Sequence, residues 1–256
     1  MSVPSPRHTI PAARRQEILR AVRSGSSHVS DLAESFGVSE MTVRRDLRAL
    51  ARDGKLERVR GGALNATSER PFEEVAVERF EAKDRIGAAA AALVEDGHTV
   101  MMDIGTTTLQ AAHHLHGCDI TVVTTSLAIY DELLPDPAID LLLPGGYVRR
   151  IYRSLVGVVA EDSLRQLRAD VLFLGTSFVD AELGVWDTTM VEVPIKRAMI
   201  GAADRVVLLA DAAKFSMSGL VRVCDAGAID HIVTDGPIPA ACGPALEDAQ
   251  IEVTVA

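Results

Sequence analysis

Four side chains in the stretch SEMTVRRDLRAL are spaced to read a nucleic acid. Thr42, Arg44, Arg45 and Arg48 share one face of a helix, while Val43, Leu47 and Leu50 form an apolar stripe on the other. Arginine fits the O6 and N7 acceptors of guanine and threonine can meet a base edge or methyl group, so such a face suits the DNA major groove. Ser39 stands where an N-cap belongs, and Glu40 follows in the first turn, which predicts a helix from about Glu40 to Arg52. After Gly54 the run KLERVRGGAL alternates polar and apolar residues and puts Lys55, Arg58 and Arg60 on a hairpin. Hairpins of this wing type contact phosphate, which positions a domain without reading sequence. A solvated basic helix in a small helical domain is the competing reading.

A second set of chemically useful residues recurs wherever an apolar run ends. In DIGTTTLQAA these are Asp103, Gly105, Thr106 and Thr107, and in TTSLAIYDELL they are Thr124 and Ser126. A glycine-threonine loop at a helix start aims backbone N–H groups and hydroxyls at an anion such as phosphate, although a capped turn looks the same. Gly145 and Gly146 precede Arg149, Arg150 and Arg153, of which one could pair with an anionic ligand and at least two should face solvent or a partner subunit. Asp180, between Gly175 and Gly184, could accept sugar hydroxyls or cap its own turn. Glu192 and Lys196 are four residues apart on a predicted helix, so an ordinary surface ion pair competes with a ligand role. Asp211 and Lys214 follow a strongly apolar strand in LLADAAKF, where a lysine favours an anionic ligand.

The elements that must hold these residues divide the chain. Residues 1–12 carry three prolines and no periodicity and are expected to be a flexible tail. A first helix from Ala13 uses Ile18, Leu19 and Val22 as its apolar side, with Arg14, Arg15, Arg20 and Arg23 including phosphate contacts or serving solubility alone. A second, capped by Ser30 or Asp31, packs Leu32, Ala33 and Phe36, and Gly37 makes the turn into the basic helix. Together these predict a winged helix-turn-helix over 13–65, followed by a linker at 66–75. A charged helical region over Glu78–Arg85 then runs into an apolar helix over Ile86–Val94. From His98 onward TVMMDI, ITVVTT, DLLLPG, ADVLFLGTS, RVVLLAD, HIVTD and IEVTVA alternate with helical segments. Continuous apolar strands between helices predict an α/β domain over 76–256 with a mainly parallel sheet buried on both faces, and ligands bind such sheets at the carboxyl ends of the strands.

Composition supports this division. The chain has 256 residues, 48% of them hydrophobic, enough for one large core and a small second one. Net charge is −10, which argues against nucleic acid until the chain is split: residues 1–65 hold 12 Lys/Arg against 7 Asp/Glu, and the remainder 14 against 29. A basic head on an acidic body is the footprint of a DNA-binding module attached to something that does not touch DNA. Cys118, Cys224 and Cys242 are odd in number and far apart, so they are expected to be free thiols. His113, His114 and His116 are read as helical surface; no metal site and no cofactor is expected. The absence of a long apolar run or a signal-peptide core predicts a cytoplasmic protein with no membrane partner.

The residues VSEMTVRRDLRALARDGKLERVRGGAL closely resemble the signature of the DeoR family of bacterial transcriptional repressors, in which a serine-initiated helix carrying T-[IV]-R-R-D-L leads into a glycine-rich wing. The resemblance implies an operator-binding domain joined to an effector domain similar in fold to ribose-phosphate isomerases, one that senses phosphorylated sugars or related metabolites. It assigns Lys83 and Ile86 to the first helix of that domain and matches Asp211 and Lys214 to the family's D-x-[ST]-K-F, with Ala213 in place of the hydroxyl residue. Thr125 stands where relatives have asparagine before the serine. The expected partners are double-stranded operator DNA, a small-molecule effector and further copies of the chain in a homo-oligomer, a dimer or a tetramer. An isomerase-like enzyme with an appended DNA-binding domain is the alternative. Against it, GTSFVD retains only the last carboxylate, Asp180, of the isomerases' G-A-D-E-x-D.

Overall fold

The structure, a computed structural model, describes residues 14–18, 21, 29–52, 56–59, 62–65, 70–215 and 219–256. Two compact units divide the chain at Glu69 and Arg70.

In the first unit, α1 (Val29–Phe36) and α2 (Glu40–Arg52) precede strands β1 (Leu56–Val59) and β2 (Gly62–Asn65), which pair antiparallel. Ile18, Val29, Leu32, Val43, Leu47 and Leu50 are buried together, so the stripe expected from the spacing is the core of this unit. Helix α1 begins at Val29, before Ser30 and Asp31, so the residues expected to cap it lie inside its first turn. Gly37 has φ +60, the left-handed conformation that lets the chain reverse between the helices. Ser39 accepts the backbone N–H of Thr42 at 3.2 Å, which satisfies one of the unpaired donors at the start of α2.

In the second unit, α3 (Phe72–Val77) starts inside the stretch expected to be linker. The helical region that follows does not run on from it. The chain breaks at Arg79, a non-glycine residue with φ +50, and resumes as α4 (Phe80–Ala91). The seven apolar runs then form one parallel sheet: β3 (Thr99–Met102), β4 (Ile120–Thr124), β5 (Ile139–Leu142), β8 (Ala169–Gly175), β11 (Ala203–Leu209), β13 (His231–Thr234) and β14 (Glu252–Val255). Their order is β14-β13-β11-β8-β3-β4-β5.

Helices cover both faces. Val100, Met102, Val122, Phe173 and Val207 meet α4, α5 (Thr106–His113) and α6 (Leu127–Leu133), while Met101, Leu172, Leu174 and Leu208 meet α7 (Val158–Leu164) and α8 (Val193–Ala202). Alternate residues of each strand feed opposite cores, which is why the strands are apolar throughout. Gly87 lets α4 and α5 approach closely: a Cβ there would stand 2.6 Å from the Gln110 carbonyl carbon.

Two small sheets, absent from the sequence expectation, flank the large one. They are the hairpin β6 (Tyr147–Arg149) with β7 (Ser154–Val156), and the set of β9 (Phe178–Val179), β10 (Val185–Asp187) and β12 (Val221–Cys224). The strand order reverses direction at one place. From β3 the chain proceeds outward through β4 and β5, and from β8 outward the other way, so the carboxyl ends of β3 and β8 flank the topological switch point where open α/β sheets hold ligands.

Candidate functional site

On α2, Arg44, Arg45 and Arg48 are exposed and Thr42 is half-buried, all opposite the core stripe. Arg44 bonds Glu40 one turn earlier at 3.0 Å, and the Thr42 hydroxyl lies 3.0 Å from that of Ser39. Asp46, in the middle of this basic helix, is buried and bonds Arg14 at 2.7 Å, with Arg15 at 3.6 Å. Arg14 is thus tied into the fold, which accounts for one of the arginines read as phosphate contacts or solubility. Arg58 lies in β1 with its backbone opposite Ala63, whereas Lys55 and Arg60, like Arg20, Arg23 and the tail over 1–12, lie outside the described residues.

At the switch point Asp103 follows β3 and is fully buried. Its Oδ2 accepts Gly175 N at 3.0 Å and Lys196 Nζ at 2.7 Å, and the same ammonium donates to Gly175 O at 2.8 Å. Lys196 lies 3.3 Å from Asp187 as well. Two glycines permit this arrangement. A Cβ on Gly175 would sit 3.2 Å from the Asp103 carboxylate and one on Gly105 3.6 Å from the Gly175 Cα, so the two strand ends meet without side chains between them. Burial works against the Lys196 ammonium, but Asp103 and Asp187 outweigh it and hold its pKa above the ordinary lysine value.

Glu192 is also buried, and it is not the surface partner of Lys196 that the spacing allowed. It pairs with Arg149 of β6 and accepts Ser154 Oγ of β7 at 2.7 Å. Burial raises its pKa, against the pull of Arg149 and Ser154. Asp103 Oδ1, Glu192 Oε2 and Thr125 Oγ1 are buried with no hydrogen-bond partner among the described residues. Three carboxylates, Asp103, Asp187 and Glu192, here share the charges of Lys196 and Arg149. Thr106 and Thr107 open α5 immediately after Asp103 and Gly105, and both are buried. The first N–H groups of a helix have no partner within it, so this turn can receive an anion.

Other expected residues stand elsewhere or serve the scaffold. Thr124 Oγ1 donates to Met102 O at 2.8 Å and accepts Ser126 N at 3.0 Å, and Ser126 Oγ caps α6 by accepting Ile129 N at 3.3 Å. Asp180 Oδ1 accepts the N–H groups of Glu182 and Gly184 at 2.9 and 2.8 Å, capping its own turn, and Oδ2 accepts the Trp186 indole of β10 at 2.6 Å, so both oxygens serve the loop between β9 and β10 and its flanking strand. Gly145 and Gly146 are exposed; a Cβ on Gly146 would meet Val156 O at 3.0 Å, a packing reason for glycine. Of the three arginines that follow, Arg149 is buried, Arg150 is exposed and Arg153 pairs with Asp131.

Asp211 and Lys214 lie at the end of β11. Asp211 accepts Ala213 N at 3.0 Å and Arg79 Nε at 3.0 Å, while Arg79 reaches Asp235 at 2.9 Å. Lys83 of α4 is buried nearby and donates to Val75 O at 2.6 Å. Burial, then the charge of Lys214, lowers the Lys83 pKa to about 8. The sequence reading assigned no site role to Asp187 or Ser154, and it offered Arg149, with Arg150 and Arg153, only as a partner for an anionic ligand, whereas Arg149 pairs with Glu192. Asp187 lies beside the single tryptophan, but no fixed spacing ties it to Lys196. Among the described residues no group of three or more His, Cys, Asp or Glu side chains could hold a metal ion.

Comparison with known proteins places both units. Residues 14–69 match the model of the DeoR-like helix-turn-helix domain and residues 78–236 that of the DeoR C-terminal sensor domain. A protein of Escherichia coli O157:H7, provisionally named as the aga operon transcriptional repressor, is 36% identical over 94% of this chain and 92% of its own. The glycerol-3-phosphate regulon repressor of Escherichia coli K12 is 30% identical over 94% and 97%. Among solved structures, ribose 5-phosphate isomerase A of Methanocaldococcus jannaschii is similar over 54% of this chain and 55% of its own, at 16% identity and a TM-score of 0.41.

Proposed function

The chain belongs to the DeoR family of DNA-binding transcriptional regulators, and from that premise we propose that it represses genes of carbohydrate or related metabolism until a phosphorylated sugar or similar metabolite releases it from its operator. The observation that carries the reading is the exposed face of Thr42, Arg44, Arg45 and Arg48 on a helix whose other face is core. Arg45 and Arg48 read base edges, and Lys55, Arg58 and Arg60 hold phosphates. One such module buries too little surface for tight operator binding, so the protein acts as a homo-oligomer, a dimer or a tetramer, on double-stranded DNA in the cytoplasm. No helix among the described residues is long and apolar enough to cross a membrane.

The effector sits at the switch point. Its phosphate lies on the Gly105–Thr106–Thr107 turn, where the N–H groups that open α5 receive it, and its hydroxyls donate toward Asp103 and Glu192, whose second oxygens have no partner among the described residues. Lys196 fixes Asp103, Thr124 and Ser126 shape the neighbouring strand end, and Asp211 and Lys214 form its margin. Gly145, Gly146 and Asp180 support the scaffold. The domain binds without turnover, since Asp180, the one carboxylate retained from the isomerase motif, is committed to its own loop.

A thermal-shift titration tests the pocket with ribose 5-phosphate and glycerol 3-phosphate against ribose and glycerol, because a ligand bound only by the folded state raises Tm. Stabilisation by a phosphorylated compound, lost on Thr107→Val with Asp103→Asn, supports it. Stabilisation by the neutral compounds alone would move the ligand to another class. Enrichment of a duplex from random-sequence DNA tests the first unit, and failure to enrich one would overturn the regulator reading.

A further inference from the structure

The β6–β7 hairpin closes on a four-residue turn, residues 150–153, between the paired residues Arg149 and Ser154. Both of these hold the same carboxylate: Arg149 pairs with Glu192, and Ser154 donates to it at 2.7 Å. The base of the turn is therefore fastened beside the Lys196–Asp103 pair. The turn itself holds something else. Ile151 O accepts Phe72 N at 3.0 Å, and the Tyr152 ring meets that of Phe72 edge-on, with centroids 5.5 Å apart and planes at 87°. Phe72 is buried, opens α3, and stands two residues from Arg70, where the second unit begins. Through it the chain continues back to the DNA-binding unit.

We propose that this hairpin is the strap through which effector occupancy reaches the DNA-binding unit, with Arg149 as its pocket-side residue and Phe72 as its linker-side residue. The proposal rests on the reading of the pocket given above. Glu192 is the element that can take two arrangements. One oxygen holds Arg149 and Ser154, and the other has no partner among the described residues, so a ligand hydroxyl that engages the carboxylate changes what holds the hairpin. Separating Arg149 from the buried Glu192 is costly, so the two move together and the hairpin stays fastened or shifts with the carboxylate. Its turn is also tied to α6. Arg153 adopts the left-handed region at φ +51, its carbonyl accepts Leu127 N at 2.8 Å, and its guanidinium pairs with Asp131.

Coupling is reciprocal, so whatever lets the effector act on DNA lets DNA be felt at the pocket, and the test needs no identified effector. Amide hydrogen exchange of the full chain is measured with and without a duplex enriched from random-sequence DNA. In the parent protein the duplex changes exchange across residues 187–196 by about fivefold or more, the lower end of ordinary coupling. Arg149→Met and, separately, Phe72→Ala abolish that change, and Phe72→Ala, which lies in neither binding site, still binds the duplex. Because Arg149→Met leaves Glu192 uncompensated, Phe72→Ala keeps the test decisive if the first variant fails to fold. A change that persists in Phe72→Ala, or a parent pocket indifferent to the duplex, overturns the strap. Failure to enrich any duplex instead overturns the regulator reading itself.

Discussion

Glu192 and Lys196 stand one helical turn apart, with Lys196 N bonded to Glu192 O at 3.0 Å, yet each side chain closes its ion pair on a different element. Glu192 meets Arg149 from the hairpin, and Lys196 meets Asp103 from the end of β3 at 2.7 Å. A spacing that reads as a surface pair thus becomes two buried links that gather the hairpin, two strand ends and α8 at one place.

Removing Lys196 should be costly for that reason. Lys196→Met leaves Asp103 and Asp187 buried without their cation, and breaking a buried pair from one side costs about 3–5 kcal/mol. Urea unfolding of the variant should show a loss of this order, and adding Asp103→Asn should recover part of it. A loss no larger than that of an exposed lysine would mean the pair is solvated.

Gly87→Ala should destabilise the sensor domain although alanine is the better helix former. The added methyl would lie 2.6 Å from the Gln110 carbonyl carbon and 2.7 Å from Ala111 N, both backbone atoms of α5, so the helices must separate. Overpacking of this kind costs about 1–3 kcal/mol, which at about 2–4 °C per kcal/mol is a fall in Tm of several degrees. An unchanged or raised Tm would show that α4 and α5 can slide apart freely.

Two histidines should give stability opposite dependences on pH. His116 bonds Asp136 at 2.9 Å and Glu132 at 3.1 Å, and these carboxylates raise its pKa. Its contribution is fully present below the unfolded value of about 6.5 and is lost as pH rises through the raised folded value. Burial, then Arg205, lowers the pKa of His231, so its contribution is present above about 6.5 and is lost as pH falls through the lowered folded value. Unfolding midpoints measured from pH 5 to 8 should therefore lose their decline with rising pH in His116→Gln and their decline with falling pH in His231→Gln. Identical profiles in both variants and the parent would show that neither ring titrates differently on folding.

On α2, Arg45→Ala should weaken binding of an enriched duplex more than Arg44→Ala, because Arg44 must first leave Glu40. Loss of an arginine that reads guanine costs about 1–3 kcal/mol and relaxes preference at one base position, whereas loss of a phosphate contact weakens all sequences alike and flattens the salt dependence. Gel-shift titrations on matched and single-base-changed duplexes separate the two outcomes. Equal binding by Arg45→Ala and the parent would move recognition off this helix.

What the sequence determined by itself is whatever depends on near neighbours along the chain. The stripe of Val43, Leu47 and Leu50, the Ser39 cap and the exposed arginines follow from the 3.6-residue period, and the seven apolar runs follow from burial on both faces of a sheet. The break at Arg79 escaped this reading, since a non-glycine residue in the left-handed region carries no marker of its own. Tertiary structure alone decided the pairings. Asp103 and Lys196 lie 93 positions apart, and Arg149 and Glu192 lie 43 apart. They meet because strand order turns between β3 and β8, where Gly105 and Gly175 let two strand ends touch. Charge complementarity has no period along a chain; it is set by which elements the packing of the apolar faces brings together.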